Sequence, residues 1–263
     1  VVIASIAPVE YLAKAVGGDK IEVQSLAKGD VHSYEPKPND MKAVAKARIF
    51  IAAGLEFEEA WIPRFKASAK NLVVVQSDAK IAKLKEERGE QAEHDEKHEA
   101  HADPHVWLNP MLAITMARNI SDALIDMDKA NKDFYLENFQ KLMNDLLAFD
   151  ESAKNELSGL KNRKFVVYHP AWGYFAAHYD LEQISIERSG KEPKIDEMAS
   201  TLKMIKDENI KVIFADPNRS QKSAQVLASQ TGAKVELLDP LGYNLLENLK
   251  IAVRAIKDAN SPK

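Results

Sequence analysis

Short apolar runs alternate with longer amphipathic stretches along most of the chain. The short runs are typical of buried strands, and the stretches between most of them carry apolar residues at helical spacing. The predicted strands are residues 1–6, 21–26, 49–53, 72–75, 165–168, 181–186, 212–215 and 235–238. Because strands that alternate with helices form parallel sheets, the pattern predicts an α/β fold of two doubly wound lobes with mainly parallel sheets.

One long amphipathic stretch separates the two sets of strands. Across residues 131–160, apolar side chains such as Phe139, Leu142 and Leu146 recur at helical spacing, and no proline interrupts them. A helix of about 28 residues would span about 40 Å, which is longer than one compact lobe needs. We therefore predict one long rigid helix over 131–160 that links an N-terminal lobe, residues 1–130, to a C-terminal lobe, residues 161–263.

Composition and charge exclude several classes of protein. The hydrophobic fraction of 45% permits a sizeable core, and the net charge of −4 gives no reason to expect a nucleic-acid surface. The chain has no cysteine, so disulfides, thiolate metal sites and cysteine nucleophiles are excluded, and a metal site must use His, Asp or Glu. No run of about 18 apolar residues predicts a transmembrane segment.

Histidines are concentrated in one part of the chain, where four of the seven fall within residues 94–105. Three of them occupy a polar, acidic run that predicts a loop over about 86–103; they are His94, His98 and His101. His105 differs because it follows a proline and precedes a helix that Asn109 caps and Pro110 begins. Imidazole is a common ligand of transition metals, so the loop could gather metal and His105 could bind it.

Four candidate ligands follow predicted strands. In open parallel sheets, ligands bind beyond the carboxyl ends of the strands. His32 follows the second strand and His105 lies in the connection after the fourth, whereas His169 and Asp239 directly follow the first and last strands of the second lobe. A lone histidine is more often structural, but four residues in such positions favour one metal site. Three imidazoles and one carboxylate suit tetrahedral Zn²⁺, while Mn²⁺ prefers more oxygen.

Four motifs, in order over nearly the whole chain, resemble the metal-binding solute-binding proteins of bacterial ABC importers. They are Asp-Val-His-Ser-Tyr-Glu-Pro at 30–36, His-Val-Trp-Leu-Asn-Pro at 105–110, Tyr-His-Pro-Ala-Trp-Gly-Tyr-Phe at 168–175 and Leu-Asp-Pro-Leu-Gly at 238–242. The zinc-specific, ZnuA-like branch is the most similar. The resemblance implies that Zn²⁺ binds in the interlobe cleft to His32, His105, His169 and Asp239, and is delivered to a membrane permease.

The resemblance also implies a protein that is not an enzyme. We expect a periplasmic monomer whose signal peptide has been removed, since the chain begins at Val1. The zinc branch carries a His-rich acidic loop before its second ligand, so His94, His98 and His101 could pre-collect zinc, bind a second ion weakly or sense zinc excess.

Several alternatives stay open. Glu35 or water could replace Asp239 as the fourth ligand. A manganese-binding member of the same family is possible, although that branch usually has a carboxylate where His169 stands. A zinc-dependent hydrolase could use three histidines and a water, with Glu35 as the base. A surface adhesin that zinc merely stabilises is the last alternative.

Overall fold

The computed structural model describes residues 1–85, 102–187 and 195–260. The chain divides into two compact units. The first comprises Val1–Ala82, Val106–Glu151 and Leu241–Asn248, and the second comprises Lys83–His105, Ser152–Pro240 and Leu249–Lys263. The lobe boundaries after residues 130 and 160 stay a prediction. His94, His98 and His101 lie outside the described residues.

The first unit contains a four-stranded parallel sheet with the order β2-β1-β3-β4. Its strands are β1 (Val2–Ala4), β2 (Val23–Ser25), β3 (Ile49–Ala52) and β4 (Val73–Gln76). Its helices are α1 (Ala7–Gly17), α2 (Pro38–Ala45), α3 (Glu56–Ser68) and α4 (Pro110–Met127). All residues of β1 and β3 are buried, which explains why these strands read as continuous apolar runs.

The second unit repeats this arrangement, with the strand order β6-β5-β7-β8 and parallel pairing throughout. Its strands are β5 (Lys164–Val167), β6 (Glu182–Ser185), β7 (Val212–Ala215) and β8 (Lys234–Leu237). Its helices are α6 (Gly173–His178), α7 (Ile195–Asp207) and α8 (Lys222–Thr231). An apolar core that includes Val166, Ile213 and Leu227 lies between its sheet and helices.

Two helices belong to both units. The 27-residue α5 (Lys132–Ser158) passes from the first unit into the second, and the last helix, α9 (Leu245–Asn260), does the same. On α5 the buried residues Phe139, Leu142 and Leu146 follow helical spacing. The predicted α/β fold with parallel sheets and a long linking helix is thus confirmed. In the described part of the chain, no helix has the length and apolar character needed to cross a membrane.

One predicted boundary is wrong in a place that concerns the candidate site. The sequence pattern places the start of the helix after β7 at Arg219, but α8 begins at Lys222. Asp216 instead accepts a hydrogen bond from the backbone N–H of Asn218 at 2.7 Å, and this local bond competes with helix formation. Residues 216–221 therefore form a loop at the carboxyl end of β7.

Candidate metal centre

His105 is held by Asp103, two residues before it. One carboxylate oxygen, Oδ1 of Asp103, accepts the backbone N–H of His105 at 2.9 Å and lies 2.7 Å from the ring Nδ1. Both side chains are buried, with residue exposures of 4% for His105 and 6% for Asp103. Because a carboxylate only accepts hydrogen bonds, Nδ1 carries the hydrogen and Nε2 keeps its lone pair.

Asp103 is in turn fixed by Leu84 and Tyr174. Its backbone N–H donates to the carbonyl of Leu84 at 2.9 Å, and its own carbonyl accepts from the Tyr174 hydroxyl at 2.6 Å. That hydroxyl accepts the backbone N–H of Leu84 at 2.8 Å. At Gly173, an added Cβ would lie only 3.2 Å from Oδ2 of Asp103, so a larger residue would crowd the carboxylate. The carboxylate beside His105 is therefore well ordered by its neighbours.

His169 has an equivalent carboxylate partner from another strand end. It follows β5 and is 7% exposed, and its Nδ1 lies 2.8 Å from Oε2 of Glu187, which follows β6 and is 4% exposed. Arg219, in the loop after β7, contacts both groups. Its Nη2 lies 3.1 Å from Oε1 of Glu187, and its Nη1 lies 2.8 Å from Nδ1 of His169.

Nδ1 of His169 can satisfy only one of these two neighbours. Arginine only donates hydrogen bonds and an ionised carboxylate only accepts them. If Nδ1 donates to Glu187, Nε2 keeps a lone pair that can bind a metal ion. If Nδ1 accepts from Arg219, Nε2 carries the hydrogen and cannot bind one. The Glu187-bound tautomer is therefore the one that suits metal binding, with Arg219 neutralising the buried carboxylate.

The rings of His105 and His169 lie close together within the second unit. Their centroids are 5.4 Å apart and their planes are inclined by 73°. Each ring has a buried carboxylate at Nδ1. Metal-binding histidines commonly have this arrangement, because the carboxylate fixes the tautomer and makes the other nitrogen a better ligand. Chemically, the pair offers two oriented nitrogen donors to a transition-metal ion.

Asp239 lies at the same edge of the second sheet, just after β8. It is partly buried, and its Oδ1 accepts a hydrogen bond from Nδ2 of Asn218 at 2.7 Å. Asp216, which follows β7, is near enough for the charge of Asp239 to affect it. Burial raises the pKa of the Asp216 carboxyl, and the negative charge of Asp239 adds to this effect. This edge thus has two carboxylates beside the histidine pair.

His32 and Glu35 belong to the first unit, in the loop after β2, and both are exposed. Asp30 accepts the backbone N–H of His32 at 3.1 Å. The Tyr34 hydroxyl donates to Asp40 of α2 at 2.9 Å. Burial and this carboxylate raise the pKa of Tyr34, so the hydroxyl stays protonated and ties the loop to α2. The loop that carries His32 is therefore folded locally around Asp30 and tied to α2 through Tyr34.

Comparison with known proteins identifies the family. A family model described as zinc-uptake complex component A, periplasmic, matches residues 2–259. The chain belongs to this family. The high-affinity zinc uptake system protein ZnuA of Bacillus subtilis (strain 168) is 30% identical over 279 residues, covering 98% of this chain and 86% of that protein.

Two solved structures support the same conclusion. A crystal structure of ZnuA is 36% identical, with a TM-score of 0.92, and the match covers 99% of this chain and 98% of that one. A deletion mutant of ZnuA with zinc bound is 34% identical, with a TM-score of 0.91 and coverages of 100% and 98%. The family is a transport component that captures metal for ABC import, so the hydrolase alternative is wrong.

Three residues that contact the histidines are not identified from the sequence: Asp103, Glu187 and Arg219. The signal for Glu187 and Arg219 is their position within a few residues of β6 and β7, at the edge where the fold rule places ligands. Asp103 lies two residues before a candidate ligand, where a short carboxylate can accept the ligand's own N–H. None of these signals identifies which histidine nitrogen the side chain contacts.

Proposed function

We propose that this protein captures Zn²⁺ with high affinity outside the cytoplasm and delivers it to the membrane permease of an ABC importer. The observation that carries the proposal is the pair of buried histidines, His105 and His169, each with a carboxylate at Nδ1. Two Nε2 atoms are thereby prepared to bind an ion without prior rearrangement of the rings. The family description, zinc-uptake complex component A, agrees with this chemistry.

The proposed ligands are His32, His105, His169 and Asp239. Three neutral imidazoles and one carboxylate give four donors and a charge of +1 with Zn²⁺, which suits tetrahedral coordination. The position of Asp239, at the sheet edge that also carries His169, supports its assignment as a ligand. Glu35 or water is the alternative fourth ligand. The interlobe cleft stays a prediction.

Zinc is favoured over manganese by the donor set. Imidazole suits Zn²⁺, whereas Mn²⁺ prefers carboxylates, carbonyls and water. Glu187 and Asp103 are carboxylates in the neighbourhood, but each already contacts an imidazole nitrogen. The zinc-bound structure of a relative that is 34% identical, in a match that covers 98% of that chain, supports the same choice.

The family description, a periplasmic component of a zinc-uptake complex, supports the proposed location and the permease partner. We propose a periplasmic monomer that releases its ion when the permease opens the site. The His-rich loop, with His94, His98 and His101, is proposed as an accessory collector of zinc. The loop is joined to the described chain where Lys85 and Ala102 pair as an isolated antiparallel bridge, close in sequence to Asp103.

Zinc titration of metal-stripped protein by calorimetry tests the cleft ligands. We expect one tight site that is lost in His105→Ala. The matched control is His178→Ala, because His178 lies at the end of α6 and is not among the proposed ligands. Manganese is titrated in parallel. Tight binding of Mn²⁺ with weak binding of Zn²⁺ would support the manganese alternative, and tight zinc binding that survives His105→Ala would exclude the proposed site.

A loop variant separates the accessory histidines from the main site. Residues 86–101 are replaced by Asn-Gly, since a two-residue turn of this kind can connect the paired residues Lys85 and Ala102. We expect the tight site to remain and any weak additional binding to disappear. Loss of the tight site in this variant, with retention in His105→Ala, would show that the loop is the metal centre.

A further inference from the structure

Asn218 connects two carboxylates at the edge of the second sheet. Its side-chain Nδ2 donates to Oδ1 of Asp239 at 2.7 Å and to Oδ1 of Asp216 at 2.9 Å. An amide nitrogen has two hydrogens, so these two bonds use its full donor capacity. The backbone N–H of Asn218 also donates to Asp216, at 2.7 Å. The side chain therefore has one defined orientation, directed at Asp239.

The fold places this bridge beside the histidine pair. β7 and β8 are paired in register, with Ala215 opposite Leu237, so Asp216 and Asp239 leave the sheet at the same edge. A small pocket at that edge is lined by residues that include His169, Trp172 and Asp216. The next residue after Asn218 is Arg219, which contacts His169 and Glu187. The loop after β7 thus contacts two of the proposed ligands, His169 and Asp239.

The bridge matters because it holds two carboxylates, Asp216 and Asp239, close to each other. Burial disfavours the charge on Asp216, and the nearby charge of Asp239 disfavours it further. The neutral amide compensates both carboxylates without adding a cation that would repel a bound metal ion. A hydrogen bond to an ionised oxygen is also stronger than one between neutral groups. One oxygen of Asp239, Oδ1, is therefore committed to Asn218.

We infer that Asn218 is a specificity-determining positioning residue, which withholds Oδ1 of Asp239 from the ion and so limits this carboxylate to one metal bond. A single carboxylate oxygen with three imidazoles completes the four-coordinate set that Zn²⁺ adopts. Mn²⁺ favours more oxygen donors, which a carboxylate bound through both oxygens would supply. The inference rests on the proposed function, because it requires Asp239 to bind the ion.

The test is the ratio of Zn²⁺ to Mn²⁺ affinity in Asn218→Leu, measured by competition titration on the full chain. Leucine has a similar size but no donor, so Oδ1 of Asp239 is released. We expect the ratio to fall about tenfold, because the released oxygen can bind Mn²⁺ while zinc loses a partner of one ligand, a change that typically costs 10–100-fold in affinity. Electron paramagnetic resonance of bound Mn²⁺ should show a changed coordination sphere. The control is Asn155→Leu, at an exposed position of α5.

A double-mutant cycle with Asp239→Asn shows whether Asn218 acts through Asp239. In the Asp239→Asn background, Asn218→Leu should leave the ratio unchanged. An equal change in both backgrounds would overturn the inference. If Asn218→Leu does not fold, Asn218→Ser carries the same expectation, because its hydroxyl is too short to bridge both carboxylates.

The single variants separate the two proposals. If Asp239→Asn weakens zinc binding but Asn218→Leu leaves the ratio unchanged, the inference fails and the proposed ligand set stands. If Asp239→Asn leaves both affinities unchanged, Asp239 is not a ligand, and the fourth-ligand assignment and the inference fail together.

Discussion

The histidine pair shows how buried carboxylates can orient two imidazoles that are proposed metal ligands. Asp103 and Glu187 each contact the Nδ1 atom of a buried imidazole. Burying an ionised carboxylate is costly unless it is hydrogen-bonded or paired. Asp103 is bonded to the N–H and the ring of His105, and Glu187 is paired with Arg219. The free-energy cost of burial is thus offset by bonds that also orient the ligands.

The first prediction concerns Asp103→Asn. The amide oxygen can still accept both hydrogen bonds that Oδ1 of Asp103 accepts from His105, but it is neutral and polarises the imidazole less. We expect zinc affinity to fall about 10–100-fold, the usual effect of changing a partner of a metal-binding histidine. Calorimetric titration measures the loss. Asp122→Asn, which affects an exposed ion pair with Arg118 on α4, is the control and should bind zinc like the unchanged protein.

The first unit contains its own buried carboxyl group, Glu58, near the start of α3. Oε1 accepts the N–H of Ala53 at 2.9 Å, and Oε2 accepts those of Gly54 and Leu55 at 2.9 and 3.1 Å. Burial raises the pKa of the Glu58 carboxyl from 4.5 to about 7, although these hydrogen bonds oppose the rise. Because the folded state holds this proton more tightly than the unfolded state, the stabilisation from the proton is fully present below pH 4.5 and is lost as pH rises through about 7.

The second prediction is that Glu58→Gln removes this pH dependence. Its side-chain nitrogen cannot accept from Gly54 and Leu55, so we expect a loss of about 2 kcal/mol in the free energy of unfolding. This loss applies near pH 4.5. Because the unchanged protein itself loses up to about 3 kcal/mol of stability between pH 4.5 and pH 8, the variant should be as stable as the unchanged protein, or more stable, at pH 8. Urea unfolding at several pH values measures it, with the exposed Glu59→Gln as the control. A difference that grows with pH would contradict the raised pKa.

At the scale of elements, α4 begins where the sequence motif after His105 predicts it. Pro110 occupies the first turn, and the Asn109 side chain accepts the N–H groups of Met111 and Leu112 at 2.9 and 3.4 Å. These bonds satisfy donors that a helix start otherwise leaves without partners. The cap therefore fixes the end of the segment that connects His105 to the helix.

The third prediction is that Asn109→Ala lowers the free energy of unfolding by about 1 kcal/mol, the usual cost of losing such a cap. Equilibrium unfolding in urea measures it. Asn144→Ala on α5 is the matched control, because Asn144 is exposed and its side chain accepts a hydrogen bond from Gln140 on the same helix and caps no helix. Equal stability of Asn109→Ala and the unchanged protein would show that water replaces the cap without cost.

Elements were predictable because their signals are local. The eight strands and the long helix α5 follow from apolar runs and helical spacing, which depend on neighbouring residues only. The predicted start of α8 is wrong because the Asp216 side chain accepts a hydrogen bond from the backbone N–H of Asn218, and this local bond competes with the helix. Boundaries of this kind depend on single contacts and not on the pattern.

The candidate site was predictable only in part, for the same reason. The rule that ligands lie beyond strand ends marks His105 and His169 as candidates in different predicted lobes, and the structure brings these two rings together. The carboxylate of Glu187 is 18 positions from His169, and Arg219 is 50 positions away. Their contacts depend on strand register and side-chain orientation, which the spacing of residues along the sequence does not predict. The ligand roles themselves stay predictions.

At the scale of the whole molecule, each unit has an apolar core that includes none of the proposed zinc ligands. In the first unit Ile3, Leu12 and Phe50 are fully buried, and in the second Val166 and Ile213 are. Burial of such side chains is the dominant favourable contribution to folding. The proposed zinc ligands lie at loop ends beyond these cores. Metal binding should therefore add to the stability of a chain that is already folded.

The last prediction follows from this division between core and site. Metal-stripped protein should keep its secondary structure by circular dichroism, and zinc should raise its Tm. Free zinc at 100 times the Kd adds about 2.7 kcal/mol, which for units of this size corresponds to about 5–10 °C. His105→Ala should retain the fold and lose the zinc-dependent rise in Tm. A carrier must stay folded through each cycle of release. If chelation instead unfolds the chain, zinc is a structural component, as the zinc-stabilised adhesin alternative requires.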